Sequence, residues 1–229
     1  MTRKRKVKLD PSKFLSPVKI RVNLVLASLY ISGYEILKTS IIESVKNTVV
    51  ARVDGEVRED LLSYQSEIGG TAYGHVLGRP GAAQPSQPAI AAYEGTLGIR
   101  YDVRDETGLM PSCLWLERQG VFDQDAVQLV RQIRQHRNEI SHELPSILVG
   151  QGYELKLEHL EDMEQILNHV EIWRFHEAFT NDPRMQEYVE DEGLILDQVR
   201  PGRVVVFDVL MSSVRGFLEE IEKDLAKGG

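Results

Sequence analysis

Between Pro17 and Arg52 apolar side chains recur at helical spacing and also fill most of the remaining circumference. Leu26, Leu29, Gly33, Leu37, Ile41, Val45 and Val49 fall three and four residues apart, while Leu24, Val25, Tyr30, Ile31, Tyr34, Ile36 and Ile42 lie between them. Ser16-Pro17 supplies a helix start, a capping hydroxyl followed by proline at the first helical position. A helix apolar on all sides has to be covered on more than one of them. The segment therefore belongs at the centre of a fold or against a second copy of the chain. β-Branched residues near Val18 to Val25 leave a short strand open there.

The rest reads as further helices around a loop. A shorter amphipathic stretch runs from Glu56 to Ile68, after Asp54-Gly55. Residues 69–98 are rich in Gly, Ala, Pro and Gln, which marks a loop inserted between helices, irregular at least over 78–92. An ordinary surface loop and a substrate lid are both open readings of it. Order returns around Pro111-Ser112. A helix follows from about Asp123 or Asp125 to Glu143, with Pro145 as its stop. Another spans Lys156 to Phe179 on a stripe of Leu160, Met163, Leu167, Val170 and Trp173, closed by Asn181-Asp182-Pro183. The last begins near Pro201-Gly202, with Val204-Val205-Val206 as a possible short strand, and carries Phe207, Leu210, Val214 and Ile221 on its core face. The expected architecture is all-α: a basic tail over 1–15, then one helical domain over 16–229 with 69–98 inserted.

Composition narrows the function classes. The 229 residues carry a net charge of −8, yet Arg3, Lys4, Arg5, Lys6 and Lys8 put five positive charges and no acid in the first eight. The body is therefore more acidic than the total, which argues against a broad surface coating nucleic acid but allows a small basic site. The tail reads as a solvated terminus, with a nucleic-acid-touching arm as the lesser alternative. Cys113 is the single cysteine, so an internal disulfide and a cysteine zinc site are excluded. No unbroken run of about 18 apolar residues occurs, and a membrane span is not expected. A cytoplasmic protein without a cofactor fits these features. The glycines match no phosphate loop, no HExxH or GxSxG string is present, and a metal site among His159, His169 and His176 is not indicated.

Chemistry concentrates in RQIRQHRNEISHELP, residues 131–145. On a helical wheel Leu129, Val130, Ile133 and Ile140 form the core side. Arg131, Arg134, Asn138 and His142 gather on the other, with Asn138 and His142 one turn apart. Arg137 falls at the edge of the apolar stripe, where a guanidinium needs a partner or a bound anion. His136 faces away from His142 and is at best a supporting residue. The everyday alternative is a solvated face paired with Glu139 and Glu143.

The Arg137-Asn138…His142 string, followed by Glu143-Leu144, resembles the signature of the HEPN superfamily: Arg, often Asn or Asp next, then His four to six residues after the Arg. Gly33 to Lys38 in the first helix is also similar to that family. The resemblance covers the first helix and roughly 112–180. It implies a HEPN-like bundle and metal-independent endoribonuclease activity in a toxin, defence or RNA-processing setting, with Arg137, Asn138 and His142 catalytic. It also implies a homodimer with a shared site, and admits an antitoxin or other regulatory partner. Binding modules without nuclease activity belong to the same family.

The chemistry is coherent on its own terms. Cleavage through the ribose 2′-hydroxyl needs a group moving protons near neutral pH, which suits His142. It also needs a fixed, forked cation on the phosphorane, which suits arginine. Five residues of straight helix set Arg137 and His142 about 140° apart, so one helix does not aim both at one phosphate. A symmetric homodimer joining two copies of the 123–143 helix would line a cleft with Arg131, Arg134, Arg137, Asn138 and His142 from both and focus positive potential there.

Overall fold

The computed structural model describes residues 17–67, 87–100, 106–148, 156, 158–181 and 200–227. They form six helices: α1 (Pro17–Glu67), α2 (Gln87–Leu97), α3 (Glu106–Arg118), α4 (Gln124–Leu148), α5 (Glu158–Asn181) and α6 (Gly202–Lys227). The described residues contain no strand and are all-α. The basic tail, and 78–86 of the expected irregular stretch, lie outside the described residues.

The apolar circumference of α1 is answered within one chain, because α1 packs against all five other helices. Tyr30, Tyr34, Leu37, Ile41 and Val45 are buried to 1% exposure or less, and Ser28, Ser32, Thr39 and Asn47 mark its narrow solvent stripe. The helix continues without a break through Asp54-Gly55, so Glu56–Ile68 is no separate element and Val18–Val25 is no strand. By length and apolar composition its Pro17–Val50 part meets the criterion for a membrane-crossing helix, though no unbroken apolar run betrays this. Its most apolar window is 33% buried by the rest of the chain.

Four boundaries depart from the sequence reading. The expected loop contains α2, which seats Ala89, Tyr93 and Leu97, one per turn, against α1 and α3. Its Ala content favours helix, and that outweighs the Gly and Pro around it. α3 starts at Glu106, a turn before Pro111, because burial of Leu109 and Cys113 carries the helix past the proline. α4 likewise passes Pro145 to Leu148. Ile147 is buried there, and Asn23 Nδ2 of α1 donates to the Ile147 carbonyl at 2.6 Å, replacing a contact the helix end lacks. Val204 to Val206 are helical, and α6 turns Val204, Phe207 and Met211 inward while Val205, Val206 and Val209 remain exposed.

The hinge between α3 and α4 is compact. Val121 N–H donates to the Leu116 carbonyl and Gly120 N–H to that of Glu117, both at 2.9 Å, with Gly120 at φ 73°. That pattern needs the left-handed conformation glycine adopts freely. Asp123 then caps α4, accepting the Ala126 N–H on Oδ1 at 2.7 Å.

A buried polar network fastens α1 to α5 and α6. Glu171 is fully buried; its Oε1 accepts from Ser40 Oγ at 2.5 Å and from Arg203 Nη1 at 3.2 Å, and its Oε2 from Arg174 Nη2 at 2.6 Å. Arg203 also pairs with Glu43. Two carboxylates and two guanidinium groups balance there, as burial of charge demands.

At Gly33 α1 meets both α5 and α6: a Cβ there would stand 2.9 Å from Phe207 Cε2 and 3.4 Å from Met163 Sδ. Phe207 and Met163 are both fully buried and have no room to retreat. Gly33→Ala should lower stability by about 1–2 kcal/mol through overpacking, despite the roughly 1 kcal/mol advantage of Ala in a helix. Gly216 in α6 meets nothing within 4 Å among the described residues. Gly216→Ala should raise stability by about 0.5–1 kcal/mol. Urea midpoints of the two variants, shifting in opposite directions, check the packing.

Candidate functional site

α4 is sharply two-sided. Val127, Val130, Ile133, His136, Ile140 and Ile147 are buried, and the opposite side is open. That open side forms a shallow concavity of about 350 Å³ lined by Arg131, Arg134, Gln135, Asn138, Glu139, His142 and Glu143. Every lining residue belongs to α4, so this is one helix face in solvent and not an enclosed pocket.

The structure brings Arg131, Arg134, Asn138 and His142 together on this face. Arg131 and His142 are exposed; Arg134 and Asn138 are half-buried. Arg131 Nη1 donates to Gln128 Oε1 at 2.9 Å. Two carboxylates, Glu139 and Glu143, share the face with the two guanidinium groups, so its local charge is nearly balanced. Glu139 accepts from Gln135 Nε2 at 2.9 Å.

Arg137 is not part of the concavity. It turns to α1, where Nη2 donates to Glu35 Oε1 at 3.0 Å and the guanidinium carbon lies 5.4 Å from the centre of the Tyr34 ring. Nη1 donates to Asn138 Oδ1 at 3.2 Å, so that amide oxygen serves Arg137 rather than His142. Nε is buried with no hydrogen-bond partner among the described residues. Lys38 reaches the same carboxylate, at 2.5 Å from Glu35 Oε2. Burial raises the Glu35 carboxyl, but Lys38 and Arg137 outweigh it and hold it below its ordinary value. One chain therefore presents Arg137 and His142 to different surroundings, in keeping with their offset on the helix.

The sequence reading assigned no part to Glu35 or Glu171 and set His136 apart from His142. Glu35 takes the partner role that Arg137 was expected to need. His136 lies buried in a cluster with Tyr30 and His159 and does not reach the open face. Glu171 anchors the network described above. The one available signal for them was polar residues on the inward turns of an otherwise apolar α1: Tyr30, Tyr34, Lys38 and Ser40.

Other candidates recede. Burial pushes the Cys113 thiol up to about 12, which leaves no thiolate at neutral pH. Trp115 and Trp173 meet edge to face at 6.1 Å within the helix packing. Among the described residues no group of three or more His, Cys, Asp or Glu is placed to hold a metal ion. No family model, curated protein or solved structure matches the chain.

The Glu35–Arg137 pair is partly exposed, with side chains at 40% and 25%, so water screens much of its attraction. A double-mutant cycle of Glu35→Gln and Arg137→Ala should give a coupling of about 0.5–1 kcal/mol at pH 7. The lowered Glu35 value fixes the sign with pH: the coupling is present above the ordinary carboxylate value of 4.5 and disappears as pH falls through the lowered one. Zero coupling at pH 7 would mean that Lys38 alone holds the carboxylate.

Proposed function

We propose that the chain is a metal-independent endoribonuclease of HEPN type, working on RNA through the open face of α4. The observation that carries this reading is the exposed His142 imidazole on the same face as the Arg131 and Arg134 guanidinium groups. Phosphate oxygens suit the forked donors of arginine. His142 serves as the proton-transfer group near neutral pH. In the reaction the ribose 2′-oxygen bonds to phosphorus as the bond to the 5′-oxygen breaks. A base removes the 2′-hydroxyl proton, an acid protonates the departing 5′-oxygen, and the products are a 2′,3′-cyclic phosphate and a 5′-hydroxyl end. Arg137 and Asn138 complete the proposed catalytic set.

The proposal includes a symmetric homodimer in which two α4 helices face one another. Its support is the separation of Arg137 from His142 in one chain. The apolar circumference of α1 supports it less, since all five other helices pack on that helix. The expected convergence of six arginines is also reduced: each Arg137 is engaged by Glu35, and Glu139 and Glu143 offset the remaining charge. These two observations favour a second reading, a non-catalytic module that binds RNA, a nucleotide or a regulatory partner protein through the same face.

Incubation of the purified chain with total RNA in excess EDTA separates the readings. The nuclease reading expects chelator-resistant cleavage leaving cyclic-phosphate ends, reduced at least 100-fold by His142→Ala, the order expected for loss of a proton-transfer group. Mixing Arg137→Ala with His142→Ala protein should restore part of the activity if two chains share one site. Binding of RNA without cleavage would establish the second reading instead.

A further inference from the structure

Three aromatic rings from three helices meet beneath the inner side of α4. Tyr30 of α1, His136 of α4 and His159 in the first turn of α5 are 0%, 2% and 6% exposed. Ring centres stand 4.8 Å apart for Tyr30–His136, 5.4 Å for His136–His159 and 6.1 Å for Tyr30–His159. His136 Nε2 accepts the backbone N–H of Lys156 at 3.0 Å. A ring nitrogen that accepts a hydrogen bond carries no proton, so His136 is neutral here, with its hydrogen on Nδ1, 3.7 Å from Glu139 Oε2. The Tyr30 hydroxyl lies 2.8 Å from His159 Nδ1 and 3.3 Å from the Ile133 carbonyl.

The two imidazoles differ in what a proton does to them. His159 charged could still donate from Nδ1 to the Tyr30 oxygen, with Tyr30 donating on to Ile133. His136 has no such outlet. A proton on its Nε2 points at the Lys156 N–H and turns an attraction into a repulsion, inside a site closed to water.

We propose that this cluster is a proton-operated latch: α4 is seated on α1 and on the approach to α5 only while His136 is neutral, and mild acid releases it. The charged and titratable groups around the pair act in both directions. From α4, Glu139 favours a proton on His136; from the approach to α5, Lys156 disfavours one on either ring; from α5, Glu158 and Asp162 favour one on His159; from α1, the Tyr30 phenol faces both rings. Burial comes first among these influences and holds both imidazoles below the ordinary 6.5, aided for His136 by its histidine neighbour. A folded value below the unfolded one stabilises the closed state fully above about pH 6.5, and that stabilisation is lost as pH falls from there through the folded values. Each histidine then raises the opening constant up to about tenfold per pH unit, and the pair up to about a hundredfold. The latch is independent of what the α4 face binds, since it acts on the seating of the helix itself.

Hydrogen exchange and urea unfolding between pH 7 and pH 5 test it on the whole chain. After division by the intrinsic exchange rate, which itself falls on acidification, amides in the C-terminal half of α4 should lose protection before those of α1 or α6 do, with an uptake of one to two protons. In His136→Gln the amide oxygen can take the Lys156 N–H without titrating, so at least one proton of that uptake should vanish. In His136→Gln/His159→Asn the profile should be flat down to the carboxylate range. Should these variants fail to fold, the ring carbons of the unaltered protein can be titrated by NMR, and His136 should titrate below 6.5. Protection of α4 that does not change with pH, simultaneous loss of protection in all helices, an unchanged proton uptake in His136→Gln, or a folded His136 titrating at or above 6.5 would each overturn the latch.

Discussion

Surrounding α1 is the constraint on which the other placements depend. Its inward residues occupy so much of the circumference that burying them against one neighbour would leave the rest in water, at about 25 cal/mol for each Å² exposed. Five helices share the task, and each arrives with one apolar stripe of its own. The result is a centre-and-shell arrangement in which α4 touches α1 along its inner side and has an outer side free to carry other chemistry.

A helix packed on by five others also has to satisfy whatever polar groups it brings inside. α1 pairs several of them with its neighbours, while the buried Ser44 hydroxyl has no partner among the described residues. Ser40 meets Glu171 of α5, Glu43 meets Arg203 of α6, and Tyr30 reaches both α4 and α5. Glu35 and Tyr34 hold Arg137. Apolar packing alone tolerates small rotations of α1, whereas these contacts have direction and fix its register against three partners at once. The orientation of Arg137 is therefore a product of the core as much as of α4.

The helical wheel made the two faces of α4 legible, because that periodicity is local and α4 obeys it from Val127 to Ile140. The same periodicity left α1 either at the centre of a fold or against a second copy, and the five helices packed on it favour the first. Local punctuation misled: Pro111 and Pro145 read as boundaries, and both helices run past them because Leu109 and Ile147 gain burial that outweighs a missing N–H. The Ala, Pro and Gln of 87–97 read as loop because the apolar faces that α2 covers lie far off in the chain. The candidate site divided likewise. Arg131, Arg134, Asn138 and His142 share a face by spacing alone, while the partner of Arg137 is 102 residues away and that of His136 in α1 lies on a different turn of the same distant helix. Nothing in the 131–145 string specifies either.

The separations that tie α1 down have a consequence for synthesis. Tyr30 waits 103 residues for Ile133 and 129 for His159; Ser40 waits 131 for Glu171; Glu43 waits 160 for Arg203. At roughly 5–20 residues per second on the ribosome, Arg203 emerges on the order of 10–30 s after Glu43. Through that interval a helix apolar enough to cross a bilayer lacks the cover that α5 and α6 supply. The chain is thus built to need shelter while it is being made, and its output should follow chaperone supply more closely than the stability of the finished bundle.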